Sequence, residues 1–271
     1  MTRAEKVARL RALHEGPAAF VIANAWDAGS ARVLAAHGFK ALATSSGAAA
    51  NTLGRHDGRI SRDESLAHAK AVAEASDVPV SADLEKCFAD DPEAAAETIR
   101  LAAGVGLAGG SIEDATGDKA KPRYDLDAAV ARVAAASRVA KSVDFVLTAR
   151  TENFINGFPD LEDTIRRLQA FEAAGADVLM APGLPDLESV RKVCQSLTKP
   201  FSFMVGIPGK SFTVAELEAA GVRRISLATS LYRIAMSGLV DAAKEIRDKG
   251  TFSYLDRMVP GREFARFMSE G

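Results

Sequence analysis

Val80-Ser81-Ala82-Asp83-Leu84-Glu85 follows directly on Pro79, and its reading decides the rest of the chain. A short run of strand character ends in two carboxylates one residue apart. Gly109-Gly110-Ser111-Ile112-Glu113-Asp114 repeats the design further on. Two strands that stop at acids predict one pocket collecting negative charge at one end of a sheet. Oxygen ligands of this kind suit a hard divalent cation such as Mg²⁺.

Outward from this run, strand and helix alternate. Apolar stretches predict strands at 19–25, 39–44, near Val80, near Gly110, and at 145–150, 178–181, 201–205 and 224–227. Helical spacing fits 4–14, with Val7, Leu10 and Leu13 on one face. Further helices are expected at 28–37, 61–75, 92–102, 126–141, 161–174, 187–197, 214–220 and 231–249. Ser61 with Glu64 reads as a capping box, and Pro92 stands where a helix tolerates a missing N–H. Gly38, Gly175 and Gly221 follow helical stretches as stops, not as units of a repeat.

Eight strands alternating with helices predict a (β/α)8 TIM barrel of the α/β class, one domain over 1–271, with 251–271 as a helical tail. An open doubly wound sheet is the rival. No Gly-x-Gly-x-x-Gly opens the first helix to support it.

The chain has 271 residues, 48% hydrophobic and 26% charged, which is ordinary globular composition. A formal net charge of −2 gives no electrostatic case for nucleic acid or a membrane surface. Two cysteines, Cys87 and Cys194, make a disulfide scaffold improbable. The opening Met1-Thr2-Arg3-Ala4-Glu5-Lys6 has no apolar signal core, and a soluble cytoplasmic protein is expected.

In such barrels the chemistry lies on the loops after the strands. The candidates there are Trp26 and Asp27, then Ser45, Ser46 and Gly47, then Asp83 and Glu85, Glu113 and Asp114, and Arg150 and Glu152. His56 and Asp57 occupy the long loop after the second strand. The acids could hold Mg²⁺ directly or through its waters, and Arg150 could grip an anionic substrate. Plainer readings stand beside these. Asp27 and Asp114 suit helix caps or turns, and Arg150 suits an ion pair with Glu152. Ser45-Ser46-Gly47 suits an anion nest or an ordinary loop. Cys87 suits an inert thiol. His14, His37 and His68 fall on helices and are expected at the surface.

The ordered set Asn24-Ala25-Trp26-Asp27, Ser45-Ser46-Gly47, Leu53-Gly54-Arg55-His56-Asp57, Asp83-Leu84-Glu85, Ser111-Ile112-Glu113-Asp114 and Ala149-Arg150-Thr151-Glu152 resembles the isocitrate lyase / phosphoenolpyruvate mutase superfamily. The resemblance covers roughly residues 18–250. It implies a (β/α)8 barrel, Mg²⁺, and small 2-oxo or 2-hydroxy acids handled through enolate-type pyruvate species. It implies Asp83 as direct Mg²⁺ ligand, with Asp57, Glu85 and Glu113 around its waters. It implies Ser45, Ser46 and Gly47 for the substrate carboxylate or phosphonate, and Arg150 as the gripping arginine. It also implies a homodimer or homotetramer, the C-terminal helix packing on, or exchanged with, a neighbouring subunit.

Two departures matter. Isocitrate and methylisocitrate lyases carry Lys-Lys-Cys-Gly-His after the fourth strand, whereas Ala115–Arg123 here has no cysteine. Many members read Asp-x-Asp-x-Gly-x-Gly after the third strand, where this chain has Lys86 and Cys87 crowding a position often glycine. The expected activity is a Mg²⁺-dependent C–C lyase, with Asp57, Arg150, Glu113 and Lys119 as catalytic residues and Trp26 added to the substrate site. Lys121 and His56 are further acid/base candidates. A P–C mutase or hydrolase acting on phosphonopyruvate-like compounds is the second reading, and a non-catalytic metabolite-binding barrel the third.

Overall fold

Eight parallel strands close on themselves in chain order. They are β1 (Phe20–Asn24), β2 (Leu42–Ala43), β3 (Val80–Ala82), β4 (Gly109–Glu113), β5 (Val146–Arg150), β6 (Val178–Met180), β7 (Phe201–Met204) and β8 (Arg224–Ser226). β8 pairs back on β1 through Phe20–Arg224, Val21–Ile225 and Ile22–Ser226, which closes the expected barrel. The structure, a computed structural model, describes residues 1–268. The last three residues of the expected tail, 269–271, lie outside the described residues.

The outer ring is helical. α1 (Arg3–Glu15) precedes the barrel. α2 (Ala28–Ala36), α3 (Ser46–Thr52), α4 (Arg62–Glu74), α5 (Pro92–Gly104) and α6 (Leu126–Ser142) follow the first four strands. α7 (Leu161–Ala173), α8 (Leu187–Gln195), α9 (Val214–Ala219), α10 (Ser230–Lys249) and α11 (Gly261–Met268) complete the chain. Local chemistry sets the boundaries. The Ser61/Glu64 capping box starts α4, Asp27 caps α2, and Asp91 caps α5 just before Pro92. Among the described residues, no helix is long and apolar enough to cross a membrane.

The main core lies between strands and helices, where Leu84, Ile112, Leu147 and Phe201 meet Ile99, Val133, Leu168 and Phe171. A smaller core closes the bottom of the barrel. There Val7 and Leu10 of α1 pack with Ile22, Ala43, Val146 and Val178. Gly109 is forced by this closeness, since a Cβ there would lie 2.7 Å from the Val146 carbonyl and 3.1 Å from Leu10. His14 is the correction here. It is only 5% exposed, under Phe20, and not at the surface. α1 plugs a barrel end and so has little free surface on that face.

One further difference from expectation concerns the connection after β2. Ser46–Thr52 forms α3 where a loop connection is expected, with Ser45 as its cap. α10 buries none of its residues, and α11 docks on α2 through Arg32 Nη1 to Met268 O (2.8 Å) and the His37–Phe267 ring contact.

Candidate active site

The strand ends gather round a cavity of about 200 Å³ at the C-terminal mouth of the barrel. That volume suits a small organic acid and is below the usual range for drug-sized ligands. Ser45, Ser46, Asp57, Asp83 and Arg150 line it. A larger surface groove, about 940 Å³ by Met1, Lys6 and Lys70, lies at the other end of the barrel, away from the strand-end acids.

Asp83 is fixed from several sides. Its N–H donates to Thr44 Oγ1 at 3.0 Å, and its Oδ2 accepts from Ser46 N–H at 3.3 Å. Its Oδ1 accepts from Glu85 N–H at 3.3 Å and lies at the limit of a hydrogen bond, 3.5 Å, from Ser111 Oγ. The start of α3 is thereby tied to the end of β3. Gly47 keeps this region open, because a Cβ there would meet Asp57 Oδ2 at 3.1 Å and Thr229 Cγ2 at 3.2 Å.

Arg150 sits among three carboxylates. Its Nε donates to Glu152 Oε1 and lies 3.7 Å from Glu113 Oε2, while Nη1 is 3.8 Å from Asp83 Oδ2. Arg150 thus makes the ion pair with Glu152 that its plainer reading gives, and it also lines the cavity. Burial opposes its charge, yet Glu152, Glu113 and Asp83 outweigh that and hold it firmly protonated. One guanidinium cannot balance three buried acids. Burial, then the Glu152 charge, pushes Glu113 well up, and burial also raises Glu152.

Glu85 has no such partner. Burial, then Asp83 and Asp57, pushes its carboxyl up to about 7. Its Oε1 is buried without a hydrogen bond. A cation or its water would satisfy that oxygen and offset the excess negative charge, so the donor set fits a hard, oxygen-seeking metal. Among the described residues, no three acidic, histidine or cysteine side chains converge closely enough to ligate one ion together. The fit is therefore to an ion with few direct protein ligands that keeps most of its waters, as Mg²⁺ does.

The other expected site residues divide. Asp57 lines the cavity from an exposed loop. Gly47, Glu85, Glu113 and Glu152 do not line it; Glu113 and Glu152 pair with Arg150. Trp26 does not line the cavity; its ring meets Tyr232 edge-on at 5.8 Å, and its carbonyl lies 2.8 Å from His68 Nε2. Lys119 is exposed on the loop after β4 and is not brought to the cavity. Lys121 pairs with Asp125 at 2.7 Å, and His56 is exposed outside the lining. That loop closes on itself through an Ala115–Arg123 bridge and Thr116 N–H to Pro122 O.

Asp27 and Asp114 follow their plainer readings. Asp27 caps α2. Asp114 is buried, accepting from Thr151 Oγ1 and Glu152 N–H, each at 2.8 Å, and pairing with Arg167. Cys87 is buried, its thiol pushed up to about 12 by burial, as suits an inert group. The sequence reading missed Asn24, Ser81, Ser226 and Arg224, which also line the cavity.

Residues 10–247 match the family described as phosphoenolpyruvate phosphomutase. A crystal structure from Burkholderia cenocepacia J2315, provisionally described as a lyase/mutase, is 46% identical, with a TM-score of 0.96 over 99% of this chain and 97% of that one. The 2,3-dimethylmalate lyase of Eubacterium barkeri is 26% identical over 96% of this chain and 93% of its own. A crystal structure of 2,3-dimethylmalate lyase, a member of the PEP mutase/isocitrate lyase superfamily, aligns with a TM-score of 0.86 at 28% identity, covering 98% of this chain and 94% of that one. Oxaloacetate acetylhydrolase bound to its product oxalate aligns with a TM-score of 0.88 at 25% identity, covering 98% and 94%.

Proposed function

This chain belongs to the phosphoenolpyruvate phosphomutase family, within a superfamily of lyases and mutases acting on small carboxylic acids, and on that premise we propose that it is a Mg²⁺-dependent lyase cleaving a C–C bond in a small 2-oxo or 2-hydroxy acid. The observation that carries the reading is the acid cluster beside the cavity: Asp83 and Arg150 line it, Glu113 Oε2 lies 3.7 Å from Arg150 Nε, and Glu85 keeps a buried Oε1 without a partner. Asp83 would be the direct ligand of the ion, and Asp57, Glu85 and Glu113 would hold its waters. When bound, Mg²⁺ supplies Lewis-acid polarisation of the substrate oxygens, worth several kcal/mol as charge develops there.

The protein's own groups do the rest. Arg150, held by Glu152, orients the substrate carboxylate by charge-assisted hydrogen bonds. Ser45 and Ser46 line the cavity at the start of α3 and, with Gly47 beside them, would take the substrate carboxylate or phosphonate. Asp57, exposed at the rim, moves a proton between cavity and solvent. Trp26 and Lys119 enter this reading only through movement of their loops toward the cavity. The dimethylmalate lyase and oxaloacetate acetylhydrolase likenesses favour C–C chemistry. The description of the matching family favours a second reading, rearrangement or hydrolysis of a P–C bond.

The test is a turnover screen with oxaloacetate, 2,3-dimethylmalate, methylisocitrate and phosphonopyruvate, with Mg²⁺ and with EDTA. Release of a 2-oxo acid or oxalate that EDTA stops is the expected result. Conversion of phosphonopyruvate alone, read by phosphorus NMR, would replace the lyase reading with the second one. A cytoplasmic homo-oligomer is part of the proposal. It is supported by two free cysteines and by the uncovered apolar side chains of α10 and the tail.

A further inference from the structure

The interior of this barrel departs from the usual filling of Val, Ile and Leu. Ser81, Ser111 and Ser226 line the cavity from three strands, and Arg224 lines it from the first position of β8. Arg224 is 5% exposed. Its Nη1 donates to Thr148 Oγ1 at 3.0 Å, and its Nε is buried with no hydrogen-bond partner. Beside it in the β7–β8 register is Ser202, whose Oγ is likewise buried and unpartnered.

The two guanidiniums of the cavity differ in one respect. Arg150 has three carboxylates within 4 Å. Arg224 has none within that distance among the described residues. A buried cation without a paired anion is costly, and an anionic group of a ligand would offset that cost. Asp83 acts on Arg224 only through space.

We propose that Arg224 is a specificity-determining residue that receives a second anionic group of the substrate, so that the site selects 2-oxo or 2-hydroxy dicarboxylates over monocarboxylates. This rests on the reading in which the Asp83 side of the cavity takes the 2-oxo or 2-hydroxy acid end with Mg²⁺. The far carboxylate then accepts from the free N–H of Arg224, which lines the cavity. No covalent step is assigned to Arg224.

Calorimetry separates the possibilities, because lactate and malate share one 2-hydroxy-acid end and differ in the second carboxylate. With Mg²⁺ present, wild-type protein is expected to bind malate tenfold to a hundredfold more tightly than lactate, the range of a hydrogen bond to a charged group. Arg224→Gln is expected to bring malate down to the lactate level and leave lactate unchanged, with Arg224→Lys keeping part of the preference. Equal binding of the two acids by wild type overturns the inference, and this arm needs no variant to fold. Equal losses of both acids in Arg224→Gln also overturn it, since Arg224 would then serve only to balance Asp83. Failure of Mg²⁺ alone to bind, titrated separately, sinks the underlying metal reading and this inference with it.

Discussion

Asp114 Oδ2 lies 3.2 Å from Arg167 Nη1, a fully buried ion pair joining the end of β4 to α7. The same carboxylate accepts from Thr151 Oγ1 and from Glu152 N–H. Glu152 in turn holds Arg150. The acid next in sequence to Glu113 therefore positions the site without lining it. Burial raises the Asp114 carboxyl, while Glu152, Thr151 and Arg167 pull it back. Asp114→Ala removes one partner of a buried pair and is expected to cost about 3–5 kcal/mol in urea unfolding. A loss under about 1 kcal/mol would mean that Asp163, 3.1 Å from Arg167 Nε, carries the pairing alone.

Glu85 gives the sharpest test of the metal reading. Its unpartnered Oε1 supports the proposal that it would hold a water of the ion. Glu85→Gln keeps the shape and removes the charge. Mg²⁺ affinity by calorimetry is expected to fall about 10–100-fold, the usual effect of an outer partner, while Asp83→Asn abolishes measurable binding. Equal Mg²⁺ affinity in wild type and both variants would remove the ion from this cavity.

Much of this site was legible in the sequence because strand ends mark the working face of a barrel. Asp83, Glu113 and Arg150 stand at such ends, and the Ser61/Glu64 signal fixed the start of α4. Arg224 was not singled out, although its signal was present. In 224–227 the alternation turns Ile225 and Leu227 to the helices, which leaves Arg224 and Ser226 facing inward. His14 was misread because a helix pattern does not reveal that the helix plugs a barrel end. The expected crowding at Lys86 and Cys87 has a backbone form. Glu85, Cys87 and Phe88 hold φ of 50°, 58° and 58°, a conformation that costs non-glycine residues roughly 1–2 kcal/mol each. The surrounding contacts hold this strained turn beside the acids, among them Thr98 Oγ1 donating to Cys87 O at 2.8 Å.

The outer surface makes its own prediction. Ile234, Leu239, Val240 and Ile246 of α10 are exposed, and Phe252, Leu255, Met258 and Phe264 continue the apolar surface into the tail. Apolar patches on this scale mark association surfaces. Sedimentation is expected to find a homo-oligomer, and Ile234→Glu with Leu239→Glu is expected to shift it toward monomer without unfolding the barrel. A wild-type protein that is monomeric at micromolar concentration would leave this face without the second copy proposed for it.

His14 predicts the acid limb of stability. Burial, then the charges of Arg224 and Arg11, pushes its pKa from the ordinary 6.5 down to about 3, although the Leu10 carbonyl pulls the other way. The folded protein thus keeps His14 neutral, while the unfolded chain takes up a proton below about pH 6.5. Between those two values the unfolded state binds more protons, so stability falls as pH falls, by about 1.4 kcal/mol per unit. From pH 6.5 to pH 5 the loss assigned to this one residue is about 2 kcal/mol. His14→Leu leaves an apolar group of similar reach under Phe20 and has no proton to gain. Urea unfolding at pH 5 and pH 7 is expected to show wild type losing about 2 kcal/mol more than the variant over that interval. Equal losses in the two proteins would mean that His14 takes up its proton in the folded state as well, and would assign the acid limb to other groups.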